Sequence, residues 1–252
     1  MTTKFTHYLL EKYSDDFRKA TETPFLAQAG QGTIAPGPLK EWLRQDYLYA
    51  YGGYIKFASA LLSHLHLPTH PSSSTANTER AVSVLTFSLS NVKRETEFFI
   101  STAQQHGLDL FADETDNSES ETGGGAKYGL LGEYNPVTRS YVDFLHAIGG
   151  LGGIEEGLVL LWGMEVAYLT AWNYAKSQRN LQPSSGELTE TQKALEKFIE
   201  NWTCDEFVEF VNGCEEIVDG SGIELGSEVA KRCEEVFKRT LWLEQRFWPT
   251  IE

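Results

Sequence analysis

Apolar residues recur at three- and four-residue intervals through nearly every segment of this chain, and strict alternation never survives beyond a few residues. That periodicity predicts an all-α fold, a multi-helix bundle. Tyr8, Leu9, Tyr13 and Phe17 form the stripe of a first helix, and PFLAQA fits a short second one between Thr23 and the glycines at 30 and 32. Pro36-Gly37-Pro38 opens a long helix expected to run to about His66. After the Ser/Thr-rich connector 68–78, another helix is expected to end near Gly107. Asn135-Pro136 reads as the cap and first residue of the next, and a further helix is expected over roughly 154–177. Thr189 and Gln192 have capping-box spacing for a helix through about Val211, and the last runs from near Gly226 to Trp248. The acidic, Gly-rich stretch 113–126 has too little apolar surface to offset its ordering entropy, so it is expected as a mobile loop within a single domain over 1–252.

With 252 residues and 41% apolar content, the chain can bury one substantial core. Lys+Arg 21 against Asp+Glu 36 gives 21 − 36 = −15, a field that repels phosphate backbones and anionic headgroups. Neither nucleic acid nor a membrane is expected as a partner. The longest apolar region, His146 to Ala175, is broken by Glu155, Glu156 and Glu165, and so reads as a buried helix rather than a span. Three cysteines, Cys204, Cys214 and Cys233, cannot all pair within one chain, and the N-terminal residues are too charged for a signal peptide. A reduced, cytoplasmic protein is expected. Aromatics at 12% favour a cavity with flat, hydrogen-bonding walls suited to a planar small molecule.

Three places carry candidate chemistry. Asp46 and Tyr49 share a helix face, and Tyr47, Tyr51 and Tyr54 share a second stripe; these residues are either a grip for an amine-bearing ring or core filler beside a surface charge. Gly52-Gly53 weighs toward the grip, because two glycines inside a helix cost about 1 kcal/mol each and imply a close backbone approach. In the apolar segment 154–177, Trp162, Glu165, Tyr168 and Trp172 trace one aromatic face, where Glu165 either works chemically or fixes helix register. Near the C-terminus, Glu244 lies three and four residues before Phe247 and Trp248, facing either that aromatic surface or solvent with Arg246. Carboxylates from separate helices in one aromatic pocket suit general acid and base work on a heterocycle. The six histidines are scattered and Asp143-x-x-His146 lacks a second half, so no metal and no cofactor is expected. Nucleotide-binding and serine-hydrolase motifs are missing as well.

Taken in order, PFLAQAGQGTIAPGPLKEWLRQDYLYAYGGY, NPVTRSYVDFL, LLWGMEVAYLTAW and LWLEQRFW resemble the TenA, or thiaminase II-like, family over almost the whole chain. The resemblance implies the helical heme-oxygenase-like fold without heme, and hydrolysis of thiamin-derived aminopyrimidines to hydroxymethylpyrimidine in thiamin salvage. It implies that Asp46 hydrogen-bonds the pyrimidine and that Tyr49 shapes the site one turn later. It further implies that Tyr141 stacks on the ring, that Tyr168 stands at the reacting centre and that Glu244 is the catalytic acid/base. Trp202 falls where many members have Tyr, keeping a ring and losing a phenol. Met164 occupies the position of one branch's cysteine nucleophile, with Glu165 beside it. The chain therefore resembles the branch without a catalytic thiol, associated with aminomethyl- and formylaminomethyl-pyrimidines.

The expected activity is an aminopyrimidine aminohydrolase in which water is the nucleophile, Glu244 with Glu165 moves the protons and Asp46 holds the ring. A non-catalytic pyrimidine-binding or regulatory protein is the alternative, and a Cys-independent oxygenase on the same scaffold is a third reading. Helix faces of this kind generally pack in symmetric pairs, so a homodimer or homotetramer is expected.

Overall fold

The computed structural model describes residues 4–70, 75–108, 110, 134–179 and 187–251. The segment 113–126 lies outside them. The described residues are helical with no strand among them. In chain order the helices are α1 (Phe5–Lys12), α2 (Ser14–Thr21), α3 (Pro24–Gln31), α4 (Pro36–Leu48), a π-helical turn (Tyr49–Tyr54), α5 (Ile55–His64), α6 (Ala76–Gln105), α7 (Pro136–Leu151), α8 (Ile154–Ser177), α9 (Glu190–Asn201), α10 (Asp205–Asp219) and α11 (Glu228–Phe247).

Local chemistry accounts for most of the boundaries. Thr23 accepts from the Leu26 amide with Pro24 in the first turn of α3, and Asn135 accepts from the Thr138 amide at 2.8 Å ahead of Pro136. Thr189 and Gln192 close a capping box at α9, and Ser227 caps α11 through the Ala230 amide. Two boundaries differ from the periodic reading. The helix beginning at Thr189 stops at Asn201, because Trp202 leaves helical register to lay its ring against Trp172 and Phe198, at centroid distances of 4.7 and 5.5 Å. The chain restarts as α10 at Asp205. The long helix from Pro36 is likewise interrupted by the π-turn, whose extra residue rotates everything after it.

Helix α8 is the centre of the bundle. Leu158 to Glu165 are all buried, and the helix packs against α11, α10, α3 and α2. Gly157 lets α5 approach: a Cβ there would lie 2.2 Å from Leu61 Cδ2. Below the site lies an aromatic slab of Phe25, Trp42, Trp172, Trp202 and Trp248, drawn from five parts of the chain, with neighbouring centroids 4.7–6.2 Å apart. Each such side chain contributes about 1.5–3 kcal/mol by burial. Trp248 closes the slab, its indole N–H donating to the Ala20 carbonyl at 3.0 Å. No described helix is long and apolar enough to cross a membrane.

Candidate active site

One cavity, of about 50 Å³, lies between α4, the π-turn, α6, α7, α8 and α11. The structure places Asp46, Tyr49, Tyr141, Glu165, Tyr168, Trp202 and Glu244, all seven candidates, along its wall. Trp162 and Trp172 are not among the lining residues. Trp162 stacks on Phe237 at 5.3 Å, and Trp172 supports Trp202 from within the slab.

The π-turn decides which tyrosines reach the cavity. Regular helical spacing puts Tyr54 on a stripe with Tyr47 and Tyr51. The wider turn instead carries Tyr54 inward, toward Tyr49, while Tyr47 and Tyr51 stack on each other and Tyr51 is 54% exposed. Gly53 makes this turn possible, since a Cβ there would sit 2.9 Å from Val142 Cγ2 and 3.1 Å from Leu145 Cδ1 of α7. The close approach implied by Gly52-Gly53 is therefore to α7 at Gly53 and to the Tyr134 hydroxyl at Gly52.

Three carboxylic acids of the cavity are each held by a tyrosine from another element. Tyr168 of α8 donates to Asp46 Oδ2 at 2.9 Å, across to α4. Tyr54 of the π-turn donates to Glu165 Oε1 of α8 at 2.5 Å and shares a 2.8 Å hydrogen bond with Ser88 of α6. Tyr141 of α7 donates to Glu244 Oε1 of α11 at 2.5 Å. The fourth acid, Glu95 of α6, is a residue the sequence reading missed: it lines the same cavity beside Trp202, Asn91 and Asn201. Glu244 is 4% exposed, and Arg246 points elsewhere, donating to the Trp242 carbonyl at 3.1 Å.

Burial sets the protonation of these groups. It pushes Glu165 up to about 8 and both Glu95 and Glu244 up to about 7, and it raises Asp46 well above the usual carboxylate range, against the pull of the Tyr168 hydrogen bond. The phenols of Tyr49, Tyr54, Tyr141 and Tyr168 are driven well above 10 by the same burial, so all four remain donors. Among the described residues four acids line the cavity and no lysine or arginine does. Among the described residues no group of three His, Cys, Asp or Glu side chains could hold a metal ion.

Aromatic rings form the rest of the wall. The Tyr49 centroid lies 4.8 Å from Tyr141 and 5.5 Å from Phe247. Tyr49 Oη approaches Met164 Sδ at 2.9 Å, which puts a thioether at the position where the resemblance implies a thiol in other proteins. Cys214 lies near Glu165 without lining the cavity, and burial raises its thiol well above its ordinary value. It is a buried thiol, not a thiolate. The arrangement can sandwich a flat ring, hydrogen-bond its edge and exchange protons near neutral pH.

No protein-family model matches the chain. It is 26% identical, over 96% of its length, to a Fusarium pseudograminearum protein named a probable transcription factor, and it spans 51% of that relative. It is 27% identical to an uncharacterized protein of Schizosaccharomyces pombe over 72% of this chain and 76% of that one. Among solved structures, a TenA homologue from Pyrococcus furiosus matches with a TM-score of 0.72 at 22% identity, covering 97% of this chain and 98% of the other. A proposed TenA-like thiaminase from Sulfolobus solfataricus matches with a TM-score of 0.65 at 15% identity, covering 98% and 95%. The chain has the fold of the TenA homologues over nearly its whole length.

Proposed function

We propose that this protein hydrolyses aminomethyl- or formylaminomethyl-pyrimidines derived from thiamin, yielding hydroxymethylpyrimidine, as a TenA-like enzyme of the branch without a catalytic thiol. The observation that carries this reading is the convergence of four acids, three of them held by tyrosine hydroxyls, on one aromatic-walled cavity. In the proposed reaction the exocyclic C–N bond breaks and a C–O bond to water forms. Water gives one proton to a carboxylate of the cavity, which passes it to a neutral departing nitrogen; an ammonium departs as ammonia without it. Asp46, hydrogen-bonded to Tyr168, grips the ring nitrogen and its amino group, while Tyr49 and Tyr141 pack against the ring. Glu244, poised near pH 7, relays the proton, and Glu165 is the second acid within reach of the reacting centre. Water attacks the exocyclic carbon directly, or the amine leaves first to give a quinone-methide-like pyrimidine that water traps.

Turnover measured separately on thiamin, the aminomethylpyrimidine and its formyl derivative tests the proposal. Ammonia or formamide release from the two pyrimidines, exceeding cleavage of thiamin, is expected; no turnover of any of the three contradicts it. The name of the Fusarium relative favours a second reading, a regulatory protein that binds the pyrimidine without turning it over. Affinity without ammonia release would establish that reading instead. Self-association as a homodimer or homotetramer belongs to the same proposal and is read by analytical ultracentrifugation.

A further inference from the structure

The aminohydrolase reading leaves Glu95 without a role, yet its surroundings differ from those of the other three acids. Asp46, Glu165 and Glu244 are buried and each accepts an O–H from a tyrosine. Glu95 is half-buried, beside the Trp202 indole and the side chains of Asn91 and Asn201. The nearby Arg94 guanidinium is engaged elsewhere, donating to Asn91 Oδ1 at 2.6 Å and to Glu206 Oε2 at 2.7 Å. Asn91, Glu95 and Phe207 separate the main cavity from a smaller outer hollow bounded by Arg94, Asn201 and Glu206. An ionised acid at this wall meets no lysine or arginine among the described residues that line the main cavity, so a cationic ligand group would be its counter-charge there.

We propose that Glu95, beside Trp202 and Asn91 on the cavity wall, is the binding subsite for a positively charged end of the ligand, an alkylammonium group, and selects cationic over neutral forms of the same ring. The proposal rests on the pyrimidine-hydrolase reading and adds which part of the substrate α6 recognises. A hydrogen bond to a charged group that is lost on neutralising one partner weakens binding by about 10- to 100-fold.

Calorimetric titration of the whole chain with the aminomethylpyrimidine, cationic at its side chain, and with the neutral hydroxymethylpyrimidine tests this. Wild type is expected to bind the cation more tightly. Glu95→Gln is expected to lose about 10- to 100-fold in affinity for the cation and to hold the neutral ligand unchanged, which also shows that the variant is folded. Trp202→Phe, which removes the N–H and keeps a ring, is expected to shift the same ratio in the same direction by less. Equal weakening of both ligands, or no discrimination by wild type, overturns the subsite and leaves the hydrolase reading intact. Failure of wild type to bind either ligand overturns both.

Discussion

Helices α8 and α6 each contribute an acid to one cavity, and the two acids are placed in opposite ways. On α8, Glu165 is 8% exposed between Met164 and Val166, in a helix buried on nearly all sides, and a tyrosine O–H fixes its orientation. On α6, Glu95 is half-buried beside the exposed Lys93 and Arg94, with amide and indole N–H groups around it. The cavity therefore has an enclosed wall, where tyrosine hydroxyls position the acids to store or deliver a proton, and a half-buried wall, where Glu95 borders an outer hollow. Proton transfer and charge recognition call for these two different environments, and a single uniform pocket would supply only one of them.

Exchanging acid for amide on each wall should separate the two roles, and the largest effect is expected on the enclosed side. Glu244→Gln should lower kcat about 10²- to 10⁴-fold with little change in KM, whereas Glu95→Gln should act mainly on KM for the cationic substrate. Steady-state kinetics of the two variants decide this, and similar kcat and KM changes in both would erase the distinction between the walls. Next in size, Tyr54→Phe removes the hydroxyl shared by Glu165 and Ser88 and should cost about 1–3 kcal/mol in urea unfolding. A cost near zero would mean that Glu165 is oriented by something else.

A smaller effect concerns pH. Glu165, Glu95 and Glu244 titrate near 8, 7 and 7 in the fold against an ordinary 4.5. The folded state therefore binds more protons between those values, so its stability is full below about pH 4.5 and is lost as pH rises through 7 and 8. Thermal melts should show Tm falling from about pH 5 to pH 8.5, and Glu165→Gln should flatten the upper part of that fall. A Tm that rises across the window contradicts the protonated enclosed wall. Finally, Trp202→Phe keeps a ring in the slab but leaves a small void at a fully buried position, and should lower stability by about 1–3 kcal/mol in urea unfolding.

Much of this arrangement is legible in the amino-acid sequence, for reasons that differ from residue to residue. Glu165 stands out because Val, Leu, Met and Ala surround it, so burial follows from the pattern alone. Glu95 sits in KRETE, where a charge run reads as solvated surface; the inward spacing of Ser88, Asn91 and Glu95 is the signal that could have found it. Regular helical spacing groups Tyr54 with Tyr47 and Tyr51, because it does not anticipate a π-turn. The break at Trp202 is set by distant partners, Trp172 and Phe198, which override local helix propensity. By contrast Asn135, Thr189 and Pro24 act through neighbours within one turn, and their boundaries follow from the sequence directly.

The account turns on where a pyrimidine sits. A crystal structure of the protein with bound hydroxymethylpyrimidine measures that most directly. The ring edge is predicted within hydrogen-bonding distance of Asp46, its face against Tyr141, and its exocyclic carbon facing Glu244. A ring bound outside this cavity, or an empty cavity at saturating ligand, would contradict it.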